Sequence, residues 1–189
     1  MKNPFRFISQ NPASTPEIDF NDPHGILLRG EFVSEQWYKS VYDTQSNLSA
    51  AQHYLALGFA KGFEPNPLFR GKWYAKKYVG VMETNLNPAV HYMAIGSKRG
   101  LRPNPFFDPA WYRKAYPDVA ASDVEPLVHY LKYGAREGRN PSGDVLTQWL
   151  PQAIDPGTGQ ITNPLAKFLE LLDLLNAGTI SALNTSIKQ

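Results

Sequence analysis

An all-α fold, a short solenoid of three helix-hairpin repeats of about 38 residues with a C-terminal capping helix, is predicted by three observations. Trp-Tyr pairs stand at Trp37-Tyr38, Trp73-Tyr74 and Trp111-Tyr112, each followed one helical turn after its tyrosine by Tyr42, Tyr78 or Tyr116. His-Tyr pairs stand at His53-Tyr54, His91-Tyr92 and His129-Tyr130. Each is followed by two glycines and a proline, which are Gly58, Gly62 and Pro65, then Gly96, Gly100 and Pro103, then Gly134, Gly138 and Pro141. Such self-similarity at a fixed period is the signature of a repeat architecture.

The first half of each unit reads as a helix. In the third unit Asp108 precedes Pro109, an N-cap followed by the residue that suits a first helical position, and Phe107, Trp111 and Ala115 recur at steps of four. Pro117-Asp118 in the third unit and Gly80 in the second interrupt that helix. A second helix opens at Asn87-Pro88 or Glu125-Pro126, carries an apolar stripe of Leu127, Tyr130, Leu131 and Gly134, and stops near Gly138 and Pro141. The first unit is two residues shorter between Tyr42 and His53, where a change of length is cheapest. Neither helix can bury its stripe alone, so neighbouring units are expected to stack. The units are placed at 31–68, 69–106 and 107–142, within a repeat region of 31–142.

The run Phe107-Asp108-Pro109-Ala110-Trp111-Tyr112, then Tyr116-Pro117-Asp118-Val119, then Pro126-Leu127-Val128-His129-Tyr130-Leu131, then Gly134-Ala135-Arg136-Glu137-Gly138-Arg139-Asn140-Pro141 resembles a bacterial helical repeat. That repeat stands beside glycosyltransferase domains in polysaccharide and O-antigen biosynthesis proteins, and in some surface proteins. The third unit carries the whole pattern; the second has Tyr78-Val79-Gly80-Val81 in place of Tyr-Pro-Asp-Val, and the first keeps the aromatic and glycine marks. The resemblance implies a setting in bacterial glycan assembly or the cell envelope, and it brings no catalytic residues.

Residues 1–30 read as an extended arm and cap, with Ile26-Leu27-Leu28-Arg29-Gly30 ending a short helix. In 143–189, Asp155-Pro156-Gly157-Thr158-Gly159 reads as a turn, and an apolar helix follows over 164–177, which either covers the end of the array or mates with a second copy.

Hydrophobic residues at 42% place the chain among folded proteins, while 16 prolines and 14 glycines predict short elements. There are no cysteines, which excludes disulfides, thiolate nucleophiles and sulfur-ligated zinc. Residues 1–10 lack the apolar run of a secretory signal and no later stretch has the length of a membrane span, so a soluble, cytoplasmic protein is expected, with envelope association as the variant the resemblance suggests.

No motif supports an enzyme, a metal site or a cofactor. His53, His91 and His129 sit at equivalent places on units whose helices pack roughly 8–10 Å apart, too far to share an ion, and read as residues bracing the neighbouring unit. The repeated glycines lack the lysine and hydroxyl of a phosphate loop. Asp118, Asp123 and Glu125 read as a solvated acidic loop. Trp37, Trp73 and Trp111 read as core, and the neighbouring Tyr38, Tyr74 and Tyr112, turned by about 100° on a helix, as a partly exposed ladder.

Charge is more informative. The middle unit carries seven basic residues against the single acid Glu83, whereas the third unit balances five against five. A surface site is therefore expected to include Lys72, Lys76, Lys77, Lys98, Arg99 and Arg102 with Tyr74 and Tyr112 beside them. These readings converge on a recognition or scaffold module that binds a glycan or a glycosyltransferase partner. The alternatives are a protein-binding adaptor or homo-oligomer formed through the 164–177 helix, and nucleic-acid binding through the middle unit.

Overall fold

The computed structural model describes residues 22–29, 31–42, 46–80, 86–143, 153–154 and 161–162. The arm over 1–21 and the helix expected over 164–177 lie outside the described residues. Within them the fold is helical: α1 (Pro23–Arg29), α2 (Glu35–Tyr42), α3 (Ala50–His53), α4 (Gly71–Lys77), α5 (Pro88–His91), α6 (Pro109–Ala115), α7 (Pro117–Ala120) and α8 (Pro126–His129). Two strands of two residues each, β1 (Ala153–Ile154) and β2 (Ile161–Thr162), pair antiparallel with Ala153 opposite Thr162 and flank the stretch expected to turn.

Capping follows the local sequence. Asp108 accepts from Trp111 N at 2.9 Å, Asn87 from Ala89 N at 2.9 Å and Glu125 from Val128 N at 2.9 Å, each just before a proline at the first helical position. The first unit lacks that proline before α3 and uses a capping box between Ser49 and Gln52 instead. Pro117 ends α6 and starts α7, with Tyr116 extended between them.

Helices α3, α5 and α8 each widen into a π turn, over Tyr54–Gly58, Tyr92–Gly96 and Tyr130–Gly134. Beyond each, Gly62, Gly100 and Gly138 adopt φ of +79°, +72° and +69°. The next amide bonds back to Gly58, Gly96 or Gly134 O at 2.9 Å, a Schellman-type stop in which the left-handed residue is favourable only as glycine.

The core is made of tyrosine and phenylalanine. Tyr38, Tyr54, Tyr74, Tyr92, Tyr112 and Tyr130 are buried with Phe32, Phe69 and Phe107. The expected ladder of exposed tyrosines is thus reversed: Tyr38, Tyr74 and Tyr112 are the inward members of their pairs, while Trp37, Trp73 and Trp111 are half-buried and meet Tyr42, Tyr78 and Tyr116 edge-on at 5.8, 6.3 and 6.0 Å. The physical reason is a steric match between tyrosine and glycine. The hydroxyls of Tyr38, Tyr74 and Tyr112 press on Gly58, Gly96 and Gly134 so closely that a Cβ there would lie 2.0 or 2.1 Å from the oxygen.

Those hydroxyls also explain the histidines. Tyr38, Tyr74 and Tyr112 Oη lie 2.9, 2.9 and 3.1 Å from Nδ1 of His53, His91 and His129. Each histidine therefore joins the two helices of its own unit, and the expectation that it braces the neighbouring unit is corrected. Burial, with Arg99 nearby, holds His91 below the usual imidazole range; burial does the same for His129, assisted by Arg139. Burial also pushes the Tyr38 phenol up to about 12 and the Tyr74 and Tyr112 phenols further up. In the second and third units both partners are thus held neutral, with the phenol as donor when the imidazole proton sits on Nε2.

A third recurring bond closes each unit. Tyr42, Tyr78 and Tyr116 Oη accept from Glu64, Arg102 and Asn140 N at 2.8, 2.9 and 2.8 Å. The residue before each of these amides differs from copy to copy. Phe63 stacks on Tyr42 at 4.0 Å, and Arg139 lies over Tyr116 at 4.8 Å while pairing with Asp118 and Glu137.

Candidate functional site

Two buried asparagines, one at the end of each of the first two units, tie consecutive units together. Asn66 donates to Phe32 O at 3.0 Å and accepts from Leu68 N and Phe69 N at 3.0 and 2.8 Å. Asn104 repeats this with Leu68 O at 2.8 Å and with Phe106 N and Phe107 N at 2.8 and 2.9 Å. Each amide thus carries the start of one unit to the start of the next. The sequence signal was the run Pro65-Asn66-Pro67 repeated at Pro103-Asn104-Pro105, of which only the first proline was read as a repeat mark.

A second tie runs from the tyrosine of each His-Tyr pair to the N-cap of the next unit's second helix, and here the two junctions differ. At the first, Tyr54 Oη donates to Asn87 Oδ1 at 3.3 Å. At the second, Tyr92 Oη donates to Glu125 Oε1 at 2.7 Å, Ser97 Oγ donates to the same oxygen at 2.7 Å, and Arg113 reaches Ser97 O at 3.0 Å. Glu125 is therefore an inter-unit anchor, which corrects its reading as part of a solvated loop. The Ser97 and Arg113 positions are occupied at the first junction by Phe59 and Ala75, 38 residues earlier in each case.

The exchange changes what lines each junction. Ala75 and Phe59 line a groove of about 420 Å³ between residues 59–64 and 71–76, and Arg113 and Ser97 line a hollow of about 480 Å³ at the second junction. The Phe59 ring is 42% exposed beside it, whereas Ser97 is buried at the corresponding place. Lys61, Lys72 and Lys76 line the groove, with Glu64 at its base. The Glu64 carboxylate accepts from Gly71 N at 3.0 and 2.9 Å and so caps α4. None of the three lysines forms an ion pair among the described residues.

The cap also shows a reversal of charge. Glu64 and Arg70 flank the start of α4, whereas Arg102 and Asp108 stand at the same places before α6, paired at 2.8 Å. Arg102 further donates to Pro105 O at 3.2 Å, which makes it part of the framework.

The predicted basic site is accordingly divided. Lys72 and Lys76 come together in the first groove, where Lys61 joins them from outside the basic middle unit. Lys98 lies in a separate hollow at the second junction, among Glu31, Asp123, Glu125 and Lys132. Lys77 and Arg99 are exposed and line neither. Tyr74 and Tyr112 are buried and present no surface to a ligand, because their hydroxyls are spent on His91 and His129. Phe59, Lys61 and Ala75 were missed; the only signal was the comparison of positions between units, Ala75 against Arg113 above all.

On the other side, α1 packs against α3 and α5, and Glu31, just beyond it, pairs with Lys132 of the third unit. Phe32 meets Phe69 and Tyr92 at 5.2 and 5.5 Å, so this segment runs along the second helices of all three units. Among the described residues no three His, Asp or Glu side chains form a group able to hold a metal ion, and no helix is long and apolar enough to cross a membrane.

No protein-family model, no curated protein and no solved structure matches this chain.

Proposed function

We propose that this chain is a non-catalytic recognition or scaffold module of bacterial polysaccharide or cell-envelope glycan assembly, binding a glycan or a glycosyltransferase partner through the surface of a short helical solenoid. The observation that carries this reading is how the repeated side chains are used. The tyrosines and histidines that recur in every unit are committed to one another, the asparagines that end the first two units are committed to the backbone, as a stacked repeat requires, and polar groups with reactive potential are consumed in that framework. What stays available is surface: a grooved junction with three ammonium groups that form no ion pair among the described residues, and an exposed aromatic side chain. Such a surface binds rather than reacts. The glycan setting comes from the resemblance of the third unit, and the basic character of the middle unit agrees with an anionic target.

The test is a binding screen of the full chain against an array of bacterial glycans and a set of nucleic acids at two salt concentrations, with molar mass followed by light scattering. Selective glycan binding is expected. Binding to no glycan together with a stable oligomer contradicts the glycan form of the reading and favours a protein adaptor, and nucleic-acid affinity that collapses with salt replaces it by the third alternative.

A further inference from the structure

We propose that the groove at the first junction is a site for an acidic saccharide, with the Phe59 ring as its stacking platform and Lys61, Lys72 and Lys76 as its anion contacts. This rests on the recognition reading above and names its ligand class. Three features of the groove select the ligand.

The first is the combination of a bare ring with ammonium groups. The apolar face of a pyranose is thin and flat, and it covers an exposed aromatic ring without needing a closed pocket, whereas the apolar anchor of a peptide needs enclosure. Phe59 offers such a platform, since it touches Tyr54 only edge-on, with ring centres 6.3 Å apart, and leaves 42% of its surface open. Phe63, by contrast, is stacked on Tyr42 at 4.0 Å and has Lys61 over its other side at 5.9 Å.

The second is charge. Lys72 extends over Gly62, its Nζ 3.0 Å from where a side chain there would begin, so the left-handed glycine that ends the preceding turn also makes room for the ammonium group. Lys76 follows one turn along α4 and Lys61 faces from the other wall. Among the described residues the groove sets three ammonium groups against one carboxylate, Glu64, which is held back by the amide of Gly71, and the excess of two positive charges attracts an anion. A carboxylate-bearing sugar meets both conditions at once.

The third is that the site belongs to one junction. At the second junction the serine that replaces the aromatic ring is buried, and the guanidinium of Arg113 lies against it at 3.0 Å. The hollow at that junction, of about 480 Å³, sets Lys98, Arg113 and Lys132 against Glu31, Asp123 and Glu125 and so carries no net positive charge, and exchanging Ala75 for arginine should put a guanidinium into the space the ligand would take in the first groove.

The experiment titrates the full chain with trigalacturonate, with its methyl ester, which keeps the rings and removes the charge, and with triglutamate, which keeps the charge and removes the rings. Binding is read by calorimetry and by shifts of the amide signals of residues 59–64 and 71–76. Trigalacturonate is expected to bind, with the ester and the peptide each weaker by about tenfold or more. Ala75→Arg is expected to abolish binding with the melting temperature retained; the exposed pair Lys72→Gln and Lys76→Gln gives the same loss should the arginine disturb the fold. The proposal is overturned if triglutamate binds as well as trigalacturonate, if neither set of variants weakens binding, or if trigalacturonate does not bind. Should the glycan array show other ligands that Ala75→Arg leaves untouched, the site fails and the recognition reading stands; an array without ligands removes both.

Discussion

The two junctions between consecutive units share one backbone scheme and differ in what their side chains do with it. Both use a buried asparagine to join the starts of neighbouring units and a buried tyrosine to reach the next N-cap. At the second junction an acidic N-cap collects Tyr92, Ser97 and the Val128 amide, and Arg113 adds a bond to Ser97 O. At the first the N-cap is the neutral Asn87, its bond from Tyr54 is longer, and Phe59 and Ala75 leave a groove. The lesson is that the recurring residues maintain the repeat, while the positions that vary between copies decide how tightly a seam is bonded and what its surface offers. Stability should therefore respond alike to equivalent changes in recurring residues, and unequally to changes at the varied ones.

The largest effects belong to the shared framework. Gly96→Ala and Gly134→Ala place a methyl group against Tyr74 and Tyr112 hydroxyls, displacing a buried ring and its bond to histidine. Each is expected to cost about 3 kcal/mol or more in urea unfolding, and the two losses should agree closely. A harmless Gly134→Ala would show that the tyrosine–glycine contact is not a packing constraint.

Asn66→Ala and Asn104→Ala come next. Each removes one bond to a carbonyl and two from amides inside the core, with an expected loss of about 2–3 kcal/mol in the same assay. Unequal losses would mean that the asparagine ties are not equivalent, contrary to their geometry.

A smaller, reversible effect should come from acid. The folded state holds His91 and His129 below the ordinary imidazole value of 6.5 given by the unfolded chain. The unfolded chain therefore takes up protons first, so this contribution is fully present above about pH 6.5 and is lost as pH falls through the depressed folded values. Thermal melts should show a lower Tm at pH 5 than at pH 7.5, and replacing both histidines by glutamine should flatten that dependence. The smallest effect is expected of Lys76→Glu combined with Lys77→Glu, both exposed, which should change stability by no more than about 0.5 kcal/mol while weakening anion binding.

Much of this was legible in the sequence because glycine and proline act locally. Gly62, Gly100 and Gly138 had to end helices, and Asp108-Pro109, Asn87-Pro88 and Glu125-Pro126 had to start them. The partners of side chains were less legible. Adjacent aromatics such as Trp111 and Tyr112 point about 100° apart, and hydropathy cannot say which faces inward; the answer lay in Gly134, which fits the tip of a tyrosine. The histidines were rightly read as hydrogen-bonding residues, yet their partner lay in the same unit, since it was the following tyrosine that reached the next one. Asn66 and Asn104 were hidden between prolines, where a turn residue and a core residue look alike. Counting charge gathered Lys72 and Lys76, which share the first groove, together with Arg102, which serves Asp108, and left out Lys61.

The difference between the junctions is tested most directly by comparing Asn87→Ala with Glu125→Ala in urea unfolding of the full chain. Glu125→Ala leaves Tyr92, Ser97 and an amide without their acceptor, whereas Asn87→Ala leaves one weakly bonded tyrosine and an amide. The account predicts that the glutamate costs more, by about 1 kcal/mol or above. Equal losses, or a larger loss at Asn87, would contradict the claim that the second junction is the more tightly bonded of the two.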